Sequence, residues 1–389
     1  MSDDSPHFSG RTGPERGHDA LFFSLIRTAV SGGSLTAVPT AEEWRAAFGE
    51  ACRQTLAGVL YAAVERLPKE QRPPKDVLLA WYALAEQVKR ENRRINKEAA
   101  ELTDRFRRQG RRSAVLKGQG VALLYPEPLL RMPGDIDIWV EGGRKAVLEW
   151  LRPQCSIGEV VYHHADTGLL EKTGVEVHFT PSWDYNYFRN RTIQGFFRDE
   201  AEAQFAHRVE LPEGAGETAV PTPAFNRVYL LLHIYRHLFD EGIGLRQMLD
   251  YYYCLRQPAT DSEKEDTRRQ LRRFGLTRFA SAVMYVEQRV FGLQDGFLPV
   301  PPDEEEGRFL LDEIMAAGNF GHHDARNSHA VGEGAAGRFM RRTRRNLRFV
   351  RHYPGEALWT APFKVWHWLW RLGHGYLRPQ PAPQAGKRG

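Results

Sequence analysis

Residues 131–140, RMPGDIDIWV, restrict this chain more than any other stretch. A strand sends residues two apart to the same side, so Asp135 and Asp137 share one face while Ile136 and Ile138 point the other way, into a core. Two like charges that close raise each other's pKa unless a cation stands between them. The stretch reads as a buried strand holding two acids out at one edge, placed for a metal or a proton.

The surroundings of that strand are α/β in texture. SAVLKG is a short strand ending in a glycine turn, QGVALLY a helix, GRKAVLEWLRP another helix, and IGEVVYHH and TGVEVHF two more strands. Short strands interleaved with helices between about 113 and 180 make one small α/β unit. Too few crossovers are present for a dinucleotide-binding domain, and neither GxGxxG nor GxxxxGK[ST] occurs. Before this unit, AEEWRAAFGEACRQTLAGVLYAAVERL has helical periodicity. A break at QRPP and a long Arg/Glu-rich helix over about 75–109 follow it. The arginines at its end (Arg105, Arg107, Arg108, Arg111, Arg112) read as a solvated face. After ELPEGAGETAVPTP, a loop or hairpin, helices are expected over the rest of the chain.

At 389 residues the chain has room for two or three domains. The expected divisions are a disordered lead-in over 1–19, a helical segment over 20–112, the α/β core over 113–222, a C-terminal helical domain over 223–378 and a disordered tail over 379–389. A net charge of +5 and a pI near 9.0 favour an anionic substrate or partner without requiring one. The three cysteines, Cys52, Cys155 and Cys254, form no CxxC pair. They suit a reducing cytoplasm better than a disulfide framework or a zinc ribbon. No run approaches the roughly 18 apolar residues of a membrane span, and the polar first 19 residues lack the apolar centre of a signal peptide. A cytoplasmic location is the expectation.

Three pieces of the α/β unit combine into chemistry. LKGQG, with Lys117, Gly118 and Gln119, is a glycine turn between strand and helix, a seat for phosphates. Asp135 and Asp137 stand on the neighbouring strand, and Glu176 stands on a later one. Three carboxylates beside a phosphate cradle fit two hard divalent cations, Mg²⁺ first and Mn²⁺ second, clamping an in-line displacement.

LKGQGVALLYPEPLLRMPGDIDIWV followed by GVEVHF resembles the nucleotidyltransferase fold of DNA polymerase β and kanamycin nucleotidyltransferase. More narrowly it resembles a bacterial group of uncharacterised nucleotidyltransferases. The likeness continues through LLLHIYRHLFDEGIGLRQMLDYYYCL and AAGNFGHHDAR, covering most of the chain. It implies an α+β fold: a small mixed-sheet nucleotidyltransferase core with N-terminal helices and a C-terminal helical domain. It implies a triphosphate held at Gly118 and Gln119, both metals on Asp135 and Asp137, and Glu176 completing the site. The superfamily usually has Gly-Ser at the turn where this chain has Gly118-Gln119, so a hydroxyl is missing there. The implied reaction moves a nucleoside monophosphate from an NTP to an acceptor hydroxyl or phosphate on a small molecule, protein or RNA, releasing pyrophosphate. The alternative is a non-catalytic nucleotide- or polyanion-binding protein on the same fold.

Other residues admit two readings each. Lys117 and Arg131 either neutralise triphosphate charge or serve structure, Arg131 by pairing with Asp135. Arg246 either pairs with Asp250 four residues on or faces nucleotide. His178 shares the face of Glu176 and is either a donor supporting the acids or an ordinary edge residue, the latter being the expectation. His233 and His237, four apart on one helix face, have a spacing that can bind zinc but read first as packing histidines, and His322, His323, Asp324 and His329 read as a mobile segment before a metal site. Seven arginines (Arg338, Arg341, Arg342, Arg344, Arg345, Arg348, Arg351) crowd one helix without an acid among them. They mark either an anionic partner's docking face or a surface neutralised by PPDEEEG. Of Trp359, Trp366, Trp368 and Trp370, most are expected to pack.

Overall fold

The alternating residues of 136–140 form a strand covered on both sides. The computed structural model describes residues 19–321 and 335–377. The motif at 322–329 and both chain ends lie outside them. Strands β1 (Ser113–Val115), β2 (Ile136–Val140), β3 (Ile157–Val160), β4 (His164–Thr167) and β5 (Val175–His178) make one sheet in the order β1-β2-β5-β4-β3. β2 and β5 run parallel, and the remaining pairs are antiparallel. IGEVVYHH, expected as one strand, is broken after Val160: a bend over 161–163 returns the chain as β4, with Val161 N–H donating to the His164 carbonyl at 3.0 Å. β6 (Arg208–Leu211) and β7 (Gly216–Ala219) form a separate hairpin.

Helices α1 (Asp19–Ser31), α2 (Ala41–Arg53), α3 (Ala57–Arg66) and α4 (Lys75–Arg108) precede the sheet. α4 is long because Val77, Trp81, Ala85, Val88, Asn92, Ile95, Ala99, Leu102 and Phe106 recur every three or four residues along one buried stripe, apolar at every position but Asn92. It stops at Gly110, which takes a φ of +72° that a side chain would resist. Ile136, Ile138 and Val140 of β2, with Val175 and Val177 of β5, pack on this stripe and on Val147, Leu148 and Leu151 of α6 (Gly143–Leu151). α5 (Gly118–Ala122) is a single turn between β1 and β2.

The rest is helical: α7 (Tyr187–Ala206), α8 (Pro223–Asp240), α9 (Leu245–Leu255), α10 (Asp261–Arg273), α11 (Thr277–Phe291), α12 (Glu304–Ala317), α13 (Ala335–Leu347) and α14 (Pro354–Gly373). α1, α2 and α3 share one apolar core with α8, α9 and α11. α8 runs through its middle, capped by Thr222 accepting from Phe225 N–H and started by Pro223. This burial brings His233 against the end of the sheet that carries the acids. Among the described residues no helix is long and apolar enough to cross a membrane.

The arginine-rich segment does not form one outward face. Arg345 is buried and donates to the Leu238 and Phe239 carbonyls of α8. Arg348 pairs with Glu313, and Arg351 pairs with Glu305 of the acid-rich PPDEEEG stretch. Counter-charges from α12 thus meet part of the basic stripe. Trp359 and Trp370 pack against the two cores, whereas Trp366 and Trp368 are about half exposed.

Candidate active site

β1 hands its last pairing to β2 through Leu116, whose N–H donates to the Asp137 carbonyl at 2.9 Å. The chain then turns at Lys117 and at Gly118, where φ is +49°. A Cβ at Gly118 would sit 3.6 Å from the Asp135 carbonyl, so the turn lies directly against the mouth of β2. Across the parallel pair, Asp137 stands opposite Glu176 and Trp139 opposite His178. Across the next pair, Glu176 stands opposite Asp166 and His178 opposite His164. Period-two alternation therefore gathers acids and histidines on the sheet face away from α4.

Asp137 is buried and doubly paired: Lys117 Nζ lies 2.7 Å and His178 Nε2 2.9 Å from its Oδ1. Burial alone would push its carboxyl up, but Lys117 and His178 override that and hold it well below the usual range. For Lys117, burial works downward and is outweighed by Asp137, so the ammonium stays charged. For His178, burial also works downward, and hydrogen bonds to Asp137 and Glu176 win, raising the ring to about 9. Asp135 behaves oppositely. Its carboxyl is pushed up to about 7, first by the negative charge of Asp137, then by desolvation and Glu176. Because Asp135 opens to the cleft mouth, the like charge is the cause with physical weight.

Of the two readings of His178, the favoured one, an edge residue, fails because β5 is the central strand and His178 is 2% exposed; the ring lies against Asp137 instead. Its signal was present in the i, i+2 spacing from Glu176; what the spacing lacked was the strand order that closes both sides.

A cleft of about 170 Å³ opens beside the acids, lined by Lys117, Gly118, Arg131, Asp135, Asp137, His233 and Arg246 among others. Glu176 is outside its lining, on the far side of Asp137. Arg131 does not pair with Asp135: its guanidinium grips Asp250 of α9 with both Nε and Nη2 at 2.7 Å. Tyr125 donates to the same carboxylate at 2.7 Å. Arg246 donates to the Met132 carbonyl at 3.2 Å, clamping the loop that leads into β2. Burial, then Arg131, lowers the Arg246 pKa from its ordinary value. The ring of His233 is kept neutral by burial and then by Lys117. Gln119 turns away from the cleft: its amide donates to Asn92 at 3.2 Å and to Asn96 on α4. Its side chain anchors the turn from behind, leaving Lys117 and Gly118 as the parts of the turn that face the cleft.

Residues 40–292 match the family described as "Uncharacterised nucleotidyltransferase". The match spans well over half of the chain, and the chain belongs to that family. No curated protein matches it. Among solved structures it is similar to an antigenic nucleotidyltransferase-like protein from Paracoccidioides brasiliensis, at 13% identity and a TM-score of 0.33, over 55% of this chain and 96% of that one.

Proposed function

We propose that this chain is a metal-dependent nucleotidyltransferase of the DNA polymerase β-like type. It moves a nucleoside monophosphate from an NTP to an acceptor hydroxyl or phosphate and releases pyrophosphate. The observation that carries the reading is the acid pair Asp135 and Asp137 at the cleft mouth, with Glu176 in register beside Asp137. In the transfer, the acceptor oxygen attacks the α-phosphorus, and the bond from that phosphorus to the β-phosphate oxygen breaks. The acceptor proton passes to Glu176 or to solvent.

The residues present fit a divalent cation. Asp137, Glu176 and His178 each offer an atom within 4.8 Å of the others, and the repulsion that protonates Asp135 is what a bound cation relieves. Asp137 and Glu176, both in that group, would hold it, with Asp135 two residues before Asp137 as the third acid. When bound, Mg²⁺ or Mn²⁺ neutralises phosphate charge and makes the acceptor a better nucleophile. Lys117 and Arg246 are placed to orient phosphates, and Gly118 allows close backbone approach. Arg131, committed to Asp250, acts by fixing the loop over 132–134. Glu176 is assigned to the acceptor, which makes its effect separable. Glu176→Gln is expected to lower kcat by about a hundredfold or more with NTP affinity nearly unchanged, measured by single-turnover kinetics beside equilibrium binding. Lost binding with intact chemistry would assign Glu176 to the nucleotide instead.

One observation favours a second reading, a nucleotide- or polyanion-binding protein without turnover: Lys117 and His178 already neutralise Asp137 from within the chain. The two readings part on one experiment. Raised thermal stability with NTP and Mg²⁺ but no pyrophosphate, across a panel of acceptors in lysate, selects the second.

A further inference from the structure

We propose that His163, His164 and His178, together with Glu176, form a binding site for one borderline divalent transition-metal ion of the zinc class. The site deepens the reading above, on which its role beside the acid pair rests: it shares Glu176 with the acids, takes His178 from beside Asp137, and adds His163 and His164.

The register builds it. His164 on β4 stands opposite His178 on β5, and Asp166 stands opposite Glu176, so two adjacent rungs present imidazole and carboxylate on one face. His163 joins from the bend just before β4. The three rings lie with centroids 4.3, 5.2 and 5.3 Å apart. His163 Nε2 is 3.0 Å from His164 Nδ1, His164 Nδ1 is 3.4 Å from Glu176 Oε2, and His178 Nε2 is 3.3 Å from the same Oε2. Ligands held about 2.0–2.2 Å from a zinc-class ion stand roughly 3.0–3.5 Å from one another. These three donor pairs already have that spacing.

Two further features point to a ligand. His163, His164 and His178 each offer one ring nitrogen, all within 4.8 Å of one another. The cluster also has an entry side, because the Glu176 and Asp166 side chains remain 28% and 51% exposed. Trp183 backs His163 at 5.9 Å, making the opposite wall dry. Imidazole-rich sites favour zinc, cobalt and related ions, whereas Mg²⁺ selects oxygen ligands. The chemistry therefore differs from that of the carboxylate pair at the cleft.

The test uses the full chain, stripped with chelator and titrated with Co²⁺ in excess Mg²⁺, following visible absorption. One Co²⁺ per chain is expected to bind, with bands of a nitrogen-containing, low-coordinate site. His164→Asn and His178→Gln should each weaken binding at least tenfold, while Asp135→Asn leaves it unchanged. Circular dichroism establishes that each variant is folded. X-ray absorption of the Zn²⁺-loaded wild-type chain needs no variant and should count at least two imidazoles on the metal. An all-oxygen shell, free displacement by Mg²⁺, or unchanged binding in folded histidine variants overturns the site. Absence of nucleotidyl transfer by a chain that binds Co²⁺ as described would sink the proposed function and leave this site standing.

Discussion

Replacing Asp135 and Asp137 together by asparagine is expected to reduce pyrophosphate release to background. The two substitutions act on the fold in opposite directions. Asp137 is the counter-charge of Lys117 and of His178, all three being largely enclosed. Removing one partner of such a pair costs about 3–5 kcal/mol, because the other charge is left buried alone. Asp137→Asn should therefore lower Tm as well as activity. Asp135→Asn should remove activity without that loss. The sign follows from its carboxyl being raised to about 7. Between about pH 4 and 7 the native state keeps a proton that the unfolded chain releases, so Asp135 subtracts stability as pH rises through that window. The Tm of the Asp135→Asn variant relative to wild type should rise across the same window and level off above it. Retained turnover in the double variant would remove the acids from the reaction altogether. A Tm difference flat with pH would mean that the two carboxyls do not interact.

The second large effect is structural and lies under the cleft. Asp250→Ala strips both hydrogen bonds from the Arg131 guanidinium and one from the Tyr125 hydroxyl, all of them buried. A loss of about 3–5 kcal/mol is expected, read by denaturant unfolding. Arg131→Met with Asp250→Leu removes both charges at once and should recover most of that loss, since an apolar pair of similar volume replaces an ion pair at little cost. Both variants should also raise the KM for NTP, because the loop over 132–134 loses the Arg131 tether to α9, leaving the one from Arg246 to the Met132 carbonyl. If the double variant is as unstable as Asp250→Ala, the loss comes from packing and not from an orphaned charge.

Local patterns were readable before any coordinates. Ile136, Ile138 and Val140 announce a strand by alternation, and the stripe on α4 announces a long helix ended by Gly110. The α+β class followed from strands and helices interleaved over a short stretch. Long-range pairing was not readable. Arg131 finds Asp250 rather than the nearby Asp135 because α9 packs beside the loop before β2, a relation spanning 119 residues. The partners of Gln119, Asn92 and Asn96, lie on a helix whose polar positions look solvated in sequence. In sequence His163 and His164 read as the end of one strand, since nothing in VVYHH marks the bend that places His164 beside His178. Arg345 has the same spacing as its neighbours on α13, yet it turns inward to carbonyls of α8 that no helical period encodes.

The central claim is that the α-phosphate of an NTP, with its nucleoside, moves to an acceptor. Parallel incubations of the chain with α-labelled and γ-labelled NTP, in Mg²⁺ with lysate as acceptor source, test it most directly. The account predicts that α-label enters a macromolecular or small-molecule product while γ-label appears only in pyrophosphate, and that Asp135→Asn abolishes both signals. Label transferred from the γ-position, or none from the α-position under conditions where NTP binding is measured, would contradict it.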